Sequence, residues 1–375
     1  MTDESRSAYP IVDSHAYCFP PADSLAGHPT VEAHLGLFQW WSSFHHQPAW
    51  RVRDRAPADA TLLLDPTPED PMRLADVNFR VDRAHSRFVW TVDGEDFTKQ
   101  SYPPNLYNLE YTPANLVAEM DYAGVDVALL HTDPLAGRDI RFQAECVRQY
   151  PDRLRSMIPI DQRRIPSDPD GVIADLVHAV RVLGLHALKF QPTYAYMAGR
   201  GPWDDGPFRP FWEAVRSLGI PVFFTLGNAP NATDERQGYL EELQVLERWL
   251  DRYPGVTCSI THGFPWRMYV ARDRIELPEA VWQPFAHENL HLELSFPVRI
   301  GDLFDFPYRE TLPAIREMRD RIGAQRILWG TDMPFQNRFC TYRQSRVAIE
   351  KYCDFLSPDE LSWIMGRTAA KVLGL

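Results

Sequence analysis

The chain has 375 residues, of which 45% are apolar and 24% are charged, so it can bury a large core and is longer than a usual single domain. Its net charge of −12 and the lack of a basic run argue against nucleic acid or an anionic membrane as a partner. No stretch approaches the roughly 20 apolar residues of a membrane span, and the polar N-terminus lacks a signal-peptide core, so we expect a cytoplasmic protein.

The first predicted element is an apolar strand, Tyr9–Cys18. Residues 19–111 then break the regular pattern, because they are rich in Pro, Trp, Phe and Asp and contain a predicted hairpin with an Asp93-Gly94 turn. We interpret them as an insertion after strand one. Its aromatic residues predict either a lid over a substrate or a small core of the insertion itself, and both interpretations stay open for Phe38, Trp40, Trp41, Phe44, Trp50, Trp90, Tyr102 and Tyr107.

From Thr112 onward, short β-rich apolar runs alternate with amphipathic stretches, which is typical of parallel βαβ units. Eight strands in this alternation close into a barrel. We therefore predict one α/β domain over residues 1–375, a (β/α)₈ TIM barrel with residues 19–111 as a long insertion or lid. The strands after the insertion are predicted at Val125–Thr132, Leu154–Asp161, Leu185–Gln191, Ile220–Leu226, Val256–His262, Leu290–Phe296 and Arg326–Asp332.

Strand one ends in a carboxylate, a histidine and a phenol at alternating positions. Because side chains alternate along a strand, Asp13, His15 and Tyr17 are predicted to lie on one face. A carboxylate and an imidazole two residues apart can bind the same metal ion. The alternative is that Asp13 and His15 only form hydrogen bonds inside the barrel.

Similar groups recur at three other strand ends, since His262 ends strand six, Glu293 lies in strand seven and Asp332 ends strand eight. The C-terminal ends of barrel strands meet at one face. Buried charges without a partner are costly, and a metal ion supplies such a partner. We therefore predict a metal site formed by Asp13, His15, His262, Glu293 and Asp332.

At these residues the chain resembles the amidohydrolase superfamily, and within it the branch that includes the aminocarboxymuconate-semialdehyde and resorcylate-type decarboxylases. The resemblance implies that His15 and Asp332 bind a metal ion and that Asp13 is a further ligand. It also implies that His262 is a ligand or the catalytic base beside the metal. The resemblance covers strand one and the chain after Thr112, and it depends on the motifs at 13–15, 260–263 and 330–334.

Three positions depart from the typical superfamily pattern. Tyr17, Gln191 and Thr225 stand where histidines are common. Oxygen-rich ligand sets favour iron or manganese over zinc. The altered set and the aromatic insertion resemble an unusual group with this barrel, the non-haem diiron monooxygenases of platensimycin- and platencin-type diterpenoid biosynthesis. That resemblance implies two irons, an electron donor and a bulky apolar substrate linked to CoA.

Other titratable residues have two interpretations each. Lys189 lies where some binuclear amidohydrolases carry a carboxylated lysine that bridges two metals, and the alternative is an ordinary lysine paired with a carboxylate such as Asp161. His131 is either a further ligand or a loop residue near the barrel mouth. Of the adjacent His45 and His46, at most one is expected to reach the metals.

The first functional hypothesis is therefore a diiron monooxygenase that hydroxylates a bulky apolar, CoA-linked substrate. The alternative is a mononuclear decarboxylase or hydrolase of the same superfamily that uses zinc or manganese. In both, we assign His262, Tyr17 and Lys189 to catalysis. A hypothesis of another class is a non-catalytic binding protein on a decayed barrel. We expect a small-molecule substrate, and a homo-oligomer is one option for the assembly.

Overall fold

The computed structural model describes residues 9–67, 70, 72–199, 201–230 and 232–375. Eight parallel strands pair in chain order in one sheet, each within a segment for which the sequence predicts a strand. Their bounds are Val12–Ala16 (β1), Val127–Leu130 (β2), Leu154–Ile158 (β3), Ala187–Phe190 (β4), Val222–Phe224 (β5), Cys258–Ile260 (β6), Leu290–Leu294 (β7) and Ile327–Trp329 (β8).

The last strand also meets the first. The backbone N–H of Asp332 donates to the His15 carbonyl at 2.7 Å, and the N–H of Tyr17 donates to the Met333 carbonyl at 2.7 Å. A sheet whose two edges pair with each other is a barrel. The predicted α/β TIM-barrel fold is therefore confirmed.

The barrel interior is apolar at one end. Ala369 and Val372 of the last helix, Thr368–Leu373, pack against this end and close it. Polar side chains therefore gather at the opposite end, where the strands finish. The apolar layer is formed by Val12, Leu129, Met157, Ala187, Phe223 and Leu328.

Helices surround the barrel as the sequence predicts. The Thr112 side chain caps the helix after the insertion by accepting the Asn115 N–H, and that helix ends at Gly124 in the left-handed conformation. The connection between β6 and β7 instead contains short 3₁₀ segments and a small hairpin of Val270–Ala271 and Arg274–Ile275. The α-helices are Val31–Phe44, Pro113–Ala123, Ile140–Gln149, Pro169–Arg181, Pro192–Ala198, Arg209–Leu218, Glu235–Arg252, Phe296–Ile300, Leu312–Ile322, Tyr342–Tyr352, Pro358–Ser362 and Thr368–Leu373.

The insertion combines one helix with an antiparallel sheet. The predicted hairpin is present, and Asp93 and Gly94 form its turn with φ of 51° and 77°. Trp90 belongs to a small apolar core of the insertion together with Leu63. In the order of pairing, the strands of the sheet are Pro57–Ala58, Ala49–Arg51, Glu95–Lys99, Arg87–Val92 and Arg80–Asp82.

None of the helices in the described ranges is both long and apolar enough to cross a membrane. The polar N-terminal residues 1–8, on which the expected absence of a signal peptide depends, lie outside the described residues.

Candidate metal centre and substrate cavity

A β-bulge in β1 decides which of its side chains enter the site. Asp13 pairs with Ala128, whereas Ala16, three residues later, pairs with Leu130, only two residues later on β2. β1 therefore carries one extra residue between these pairs. A bulge of this kind interrupts the alternation of side chains and redirects the residue beside it.

Asp13 points away from the other predicted ligands. Its carboxylate accepts hydrogen bonds from the Thr331 hydroxyl at 2.5 Å and from the hydroxyl of Tyr342, in the outer helix, at 2.6 Å. Burial raises its pKa to about 7 although these hydrogen bonds lower it. The prediction that Asp13 shares one face with His15 and Tyr17 is wrong, because the bulge separates them, and the carboxylate is saturated elsewhere.

His15 lies fully buried between two carboxylates. Its Nδ1 is 2.9 Å from Oε1 of Glu293, and its Nε2 is 3.1 Å from Oδ1 of Asp332. Burial by itself lowers the pKa of His15, but the two carboxylates outweigh burial and raise that pKa to about 9. The imidazole therefore faces Glu293 with one nitrogen and Asp332 with the other.

His262 and Asp332 both adopt the left-handed backbone conformation, with φ of 61° and 64°. Such residues cost on the order of 1–3 kcal/mol each and cluster at functional sites. Gly263 follows with φ of 74°, and a Cβ there would overlap the Trp266 ring. This turn brings the His262 N–H to 3.1 Å from Oε1 of Glu293.

Two groups of side chains have ligand atoms within 4.8 Å of one another: His15, His262 and Asp332 form one, and His15, His131 and Glu293 form the other. Nδ1 atoms of His131 and His262 are buried without a hydrogen-bond partner among the described residues. Burial holds the pKa of both imidazoles well below the usual range, so both are neutral, as metal ligands must be. Imidazole and carboxylate donors in this number fit a divalent metal ion.

The structure thus brings four of the five predicted ligands together and leaves Asp13 out. It also adds His131, which is fully buried and stacks on His15 with ring centroids 3.4 Å apart. In the sequence, His131 follows the end of strand two as His262 follows the end of strand six. This similar position is the signal by which the sequence indicates His131. His262 and Asp332 line a cavity of about 300 Å³, whereas His131 and Glu293 are not part of its lining.

Tyr17 and Lys189 form a buried pair beside His15. The Lys189 ammonium donates to the Tyr17 hydroxyl at 2.7 Å, and that hydroxyl lies 3.2 Å from Nε2 of His15. Burial lowers the pKa of Lys189. Asp161, the example of a carboxylate partner for Lys189, instead pairs with Arg138 and Arg163 at 2.9 Å each.

A cavity of about 300 Å³ opens above these groups. The insertion and the loops after the strands supply its aromatic wall. Thr225 and Gln191, which replace two typical histidines, also line it, and the Thr225 hydroxyl lies 2.6 Å from that of Thr261. Both His45 and His46 line the cavity too. The aromatic wall consists of Tyr17, Trp40, Trp41, Phe44, Tyr102 and Phe335.

Two arginines that the sequence analysis did not single out, Arg299 and Arg338, complete the lining. Arg299 lies in the short helix after β7, and Arg338 ends the 3₁₀ turn after β8. No local motif marks them, because each side chain reaches the cavity only through the way its element packs in the folded chain.

Comparisons with known proteins give concordant matches. A family model described as Amidohydrolase matches residues 44–375. The γ-resorcylate decarboxylase of Rhizobium radiobacter is 26% identical over 223 residues, which cover 52% of this chain and 63% of that protein. The chain therefore spans less than two thirds of this curated relative's length.

Solved structures show the same fold at low identity. A probable 2-pyrone-4,6-dicarboxylic acid hydrolase from Acinetobacter baumannii is 17% identical with a TM-score of 0.53, and the match covers 71% of this chain and 90% of that one. A 5-carboxyvanillate decarboxylase from Novosphingobium aromaticivorans with bound manganese is 19% identical with a TM-score of 0.50, covering 69% and 80%. These likenesses support the barrel and carry no residue-level assignment.

Proposed function

The chain belongs to the amidohydrolase family, and we propose that it is a metal-dependent decarboxylase of small aromatic carboxylic acids. The observation that carries this proposal is the convergence of His15, His262 and Asp332, from three different strand ends, beside a cavity with an aromatic wall. The match to γ-resorcylate decarboxylases supports the reaction class.

In this proposal His15, His262 and Asp332 would hold the metal, and of these His262 and Asp332 line the cavity. Glu293 would orient His15 by accepting the Nδ1 proton, which would leave Nε2 as the nitrogen available to a metal ion. When bound, a divalent ion such as manganese or zinc supplies a positive charge that attracts the carboxylate and neighbouring oxygen of an aromatic acid. The sequence analysis predicts Glu293 as a metal ligand. In this proposal Glu293 instead orients the His15 ring.

Lys189 and Tyr17 supply the proton in this proposal. When the bond between the ring carbon and the carboxylate breaks, CO₂ leaves and the electron pair stays on that carbon, which must gain a proton. The Lys189 ammonium donates to the Tyr17 hydroxyl, and both line the cavity. A lysine whose pKa is lowered by burial is a stronger acid than a lysine in water.

The wall of Trp40, Trp41 and Phe44 comes from the helix Val31–Phe44 of the insertion. In this proposal it holds the aromatic ring of the substrate and excludes water from the site. The lid interpretation of residues 19–111 stays a prediction, although Trp90 belongs to the insertion's own core.

The monooxygenase hypothesis gains no support from the comparisons, which point to decarboxylases and hydrolases. Two irons, acyl-CoA and an electron donor are therefore not carried into the proposal. Manganese, which accompanies one structural neighbour, and zinc are the preferred metals.

The proposal is tested by incubating manganese-loaded protein with 2,6-dihydroxybenzoate and 5-carboxyvanillate, acids named with the structural neighbours. We expect CO₂ release that a chelator abolishes and manganese restores. Protein denatured by heat serves as the control for spontaneous decarboxylation. Hydrolysis of lactones or amides without CO₂ release would contradict the decarboxylase proposal, and a protein that binds these acids without metal would favour the binding-protein hypothesis.

A further inference from the structure

A second cavity, of about 340 Å³, lies beside the first cavity, which His262 and Asp332 line. The helix Val31–Phe44 of the insertion forms one side of the second cavity, and the loops after β2, β3 and β4 form the others. The candidate metal ligands lie next to the first cavity, so the second cavity is not needed for the bond that breaks in the proposed reaction. It is available to another part of the same ligand.

The two cavities share a wall. Asp133, Lys189, Gln191 and Tyr194 line both of them. Within this wall, the side-chain amide of Gln191 donates to Oδ2 of Asp133 at 3.0 Å. The main chain at Gln191 is held separately, because its N–H donates to Oε1 of Gln162 at 2.8 Å. Rotation of the half-buried Gln191 side chain therefore breaks one side-chain hydrogen bond and leaves the main chain in place.

The second cavity offers mainly apolar contacts. Leu37 is half-buried there, and Met72 and Met197 are 40% and 39% exposed. Apolar side chains that stay exposed together at one concave surface are typical of ligand-binding sites. Methionine side chains also adapt to ligands of irregular shape. The other apolar residues of the lining are Pro29, Ala33, Pro134, Pro159 and Ile160.

The two arginines of the second cavity already have a partner. Arg138 and Arg163 both pair with Asp161, at 2.9 Å each. An anionic group of a ligand would have to compete with Asp161 for these guanidinium ions, and it would also be repelled by that carboxylate. An uncharged apolar group meets neither obstacle. The second cavity therefore favours an apolar group over a charged one.

We propose that the second cavity binds an apolar substituent of the aromatic acid, such as a second ring or a branched alkyl group. This inference depends on the proposed function. The ring that carries the carboxylate lies in the first cavity, and the substituent reaches the second cavity past Gln191 and Asp133. Ligand cavities usually hold roughly 300–1,000 Å³, so each of the two cavities by itself lies near the lower limit. Together they suit an acid with two apolar parts.

Calorimetric titration with benzoate, 3-benzyloxybenzoate and 4-benzyloxybenzoate tests this inference. In manganese-loaded protein we expect at least one benzyloxy acid to bind roughly 10- to 100-fold more tightly than benzoate, because a second ring is buried. Met197→Asp places a charge in the second cavity, and Ala33→Trp fills part of it. Each variant should lower the ratio of the two affinities at least roughly fivefold. Both positions are exposed, so both variants should fold.

The matched control is Leu62→Asp, since Leu62 is an apolar residue of the insertion that is 50% exposed and lines neither cavity. It should keep the wild-type ratio, and melting temperatures show whether all variants fold. Equal affinity of wild-type protein for the three acids, or an unchanged ratio in both cavity variants, would overturn the inference. Binding is measured with manganese and after chelation and needs no turnover. A protein that prefers a benzyloxy acid but releases no CO₂ from any acid would therefore contradict the proposed function alone.

Discussion

His15 is the residue around which the candidate centre is organised. It contacts Glu293 through one nitrogen and Asp332 through the other, and it stacks on His131. An imidazole held by a carboxylate on one side presents a fixed lone pair on the other side. Some of these side chains would bind the metal directly, and others would orient the side chains that bind it. Single substitutions distinguish the two roles.

His262→Ala and Asp332→Ala should each lose bound manganese while keeping the fold, because both side chains lie at strand ends above the apolar layer. Glu293→Gln should keep the metal but bind it roughly 10- to 100-fold more weakly. Elemental analysis and metal titration measure both effects. Full occupancy in the His262 or Asp332 variant would disprove the ligand assignment.

Asp13→Asn should retain full metal content, since the Asp13 carboxylate is directed to Thr331 and Tyr342. It should lower the free energy of unfolding by about 1–3 kcal/mol, because an amide cannot accept all the hydrogen bonds that the carboxylate accepts. Metal analysis and denaturant unfolding on the same preparation check this. Loss of metal with normal stability would restore Asp13 to the ligand set.

Lys189→Met should lower kcat roughly 100- to 10,000-fold with little change in KM, because a proton donor acts in the chemical step and not in substrate binding. Lys189→Arg keeps a charge next to the Tyr17 hydroxyl and serves as the comparison. Steady-state kinetics on the substrate identified by CO₂ release provide the measurement. A kcat within tenfold of wild type in the methionine variant would remove Lys189 from the catalytic group.

At the scale of elements, the insertion has two parts with different roles. The helix Val31–Phe44 places Trp40 and Trp41 on the cavity, whereas the sheet buries Trp90 in its own core. The core interpretation therefore holds for Trp90, whereas the lid interpretation stays a prediction for Trp40 and Trp41. Replacing aromatic side chains by alanine should therefore affect substrate binding in one part and stability in the other.

Replacing both Trp40 and Trp41 by alanine should raise KM roughly tenfold and leave stability within about 1 kcal/mol, because both rings are only half-buried. Trp90→Ala should instead cost about 3–5 kcal/mol of stability, as for other large buried aromatics. Kinetics and thermal unfolding on both variants separate the effects. A collapse of stability in the double variant would assign those residues to a structural core.

Asp161, just after β3, pairs with Arg138 and Arg163. These ion pairs should make the free energy of unfolding depend on pH. Burial alone would raise the pKa of Asp161, but Arg163 and Arg138 lower it to about 2. A depressed folded-state pKa gives stability that is present above the unfolded value near 4 and is lost as the pH falls toward 2. Asp161→Asn should remove about 1–2 kcal/mol at neutral pH and flatten this acid dependence.

Denaturant unfolding of wild type and variant between pH 2 and pH 7 measures the effect. Arg163→Gln removes one partner and should give a similar but smaller loss. Parallel curves for wild type and the Asp161 variant across this range would show that the ion pair does not contribute.

At the scale of the whole molecule, the proposed reaction class predicts how turnover depends on oxygen and on the metal. Decarboxylation at a manganese or zinc site requires neither oxygen nor reductant, because the substrate carboxylate leaves without any net redox change. Turnover should therefore be equal in air and under strict anaerobiosis, and manganese should support it without added iron. Dependence on ferrous iron, reductant and oxygen would favour the monooxygenase hypothesis instead.

The sequence by itself determined the barrel and the main part of its site. Alternation of strand and helix segments fixes the parallel sheet, because each amphipathic segment must bury its apolar side. The ends of parallel strands meet at one rim, so the sequence predicts that His15, His262, Glu293 and Asp332 lie close together. These inferences depend only on local periodicity and on chain order.

Only the tertiary structure decided the remaining features. The bulge in β1 depends on pairing with β2, and no periodicity in Asp13-Ser14-His15 reveals the extra residue. Arg299 and Arg338 reach the cavity through loop packing, and the helix of the insertion is placed above the barrel by contacts distant in sequence. Such contacts are non-local, so they are fixed by how the elements pack together and not by the residues within any one of them.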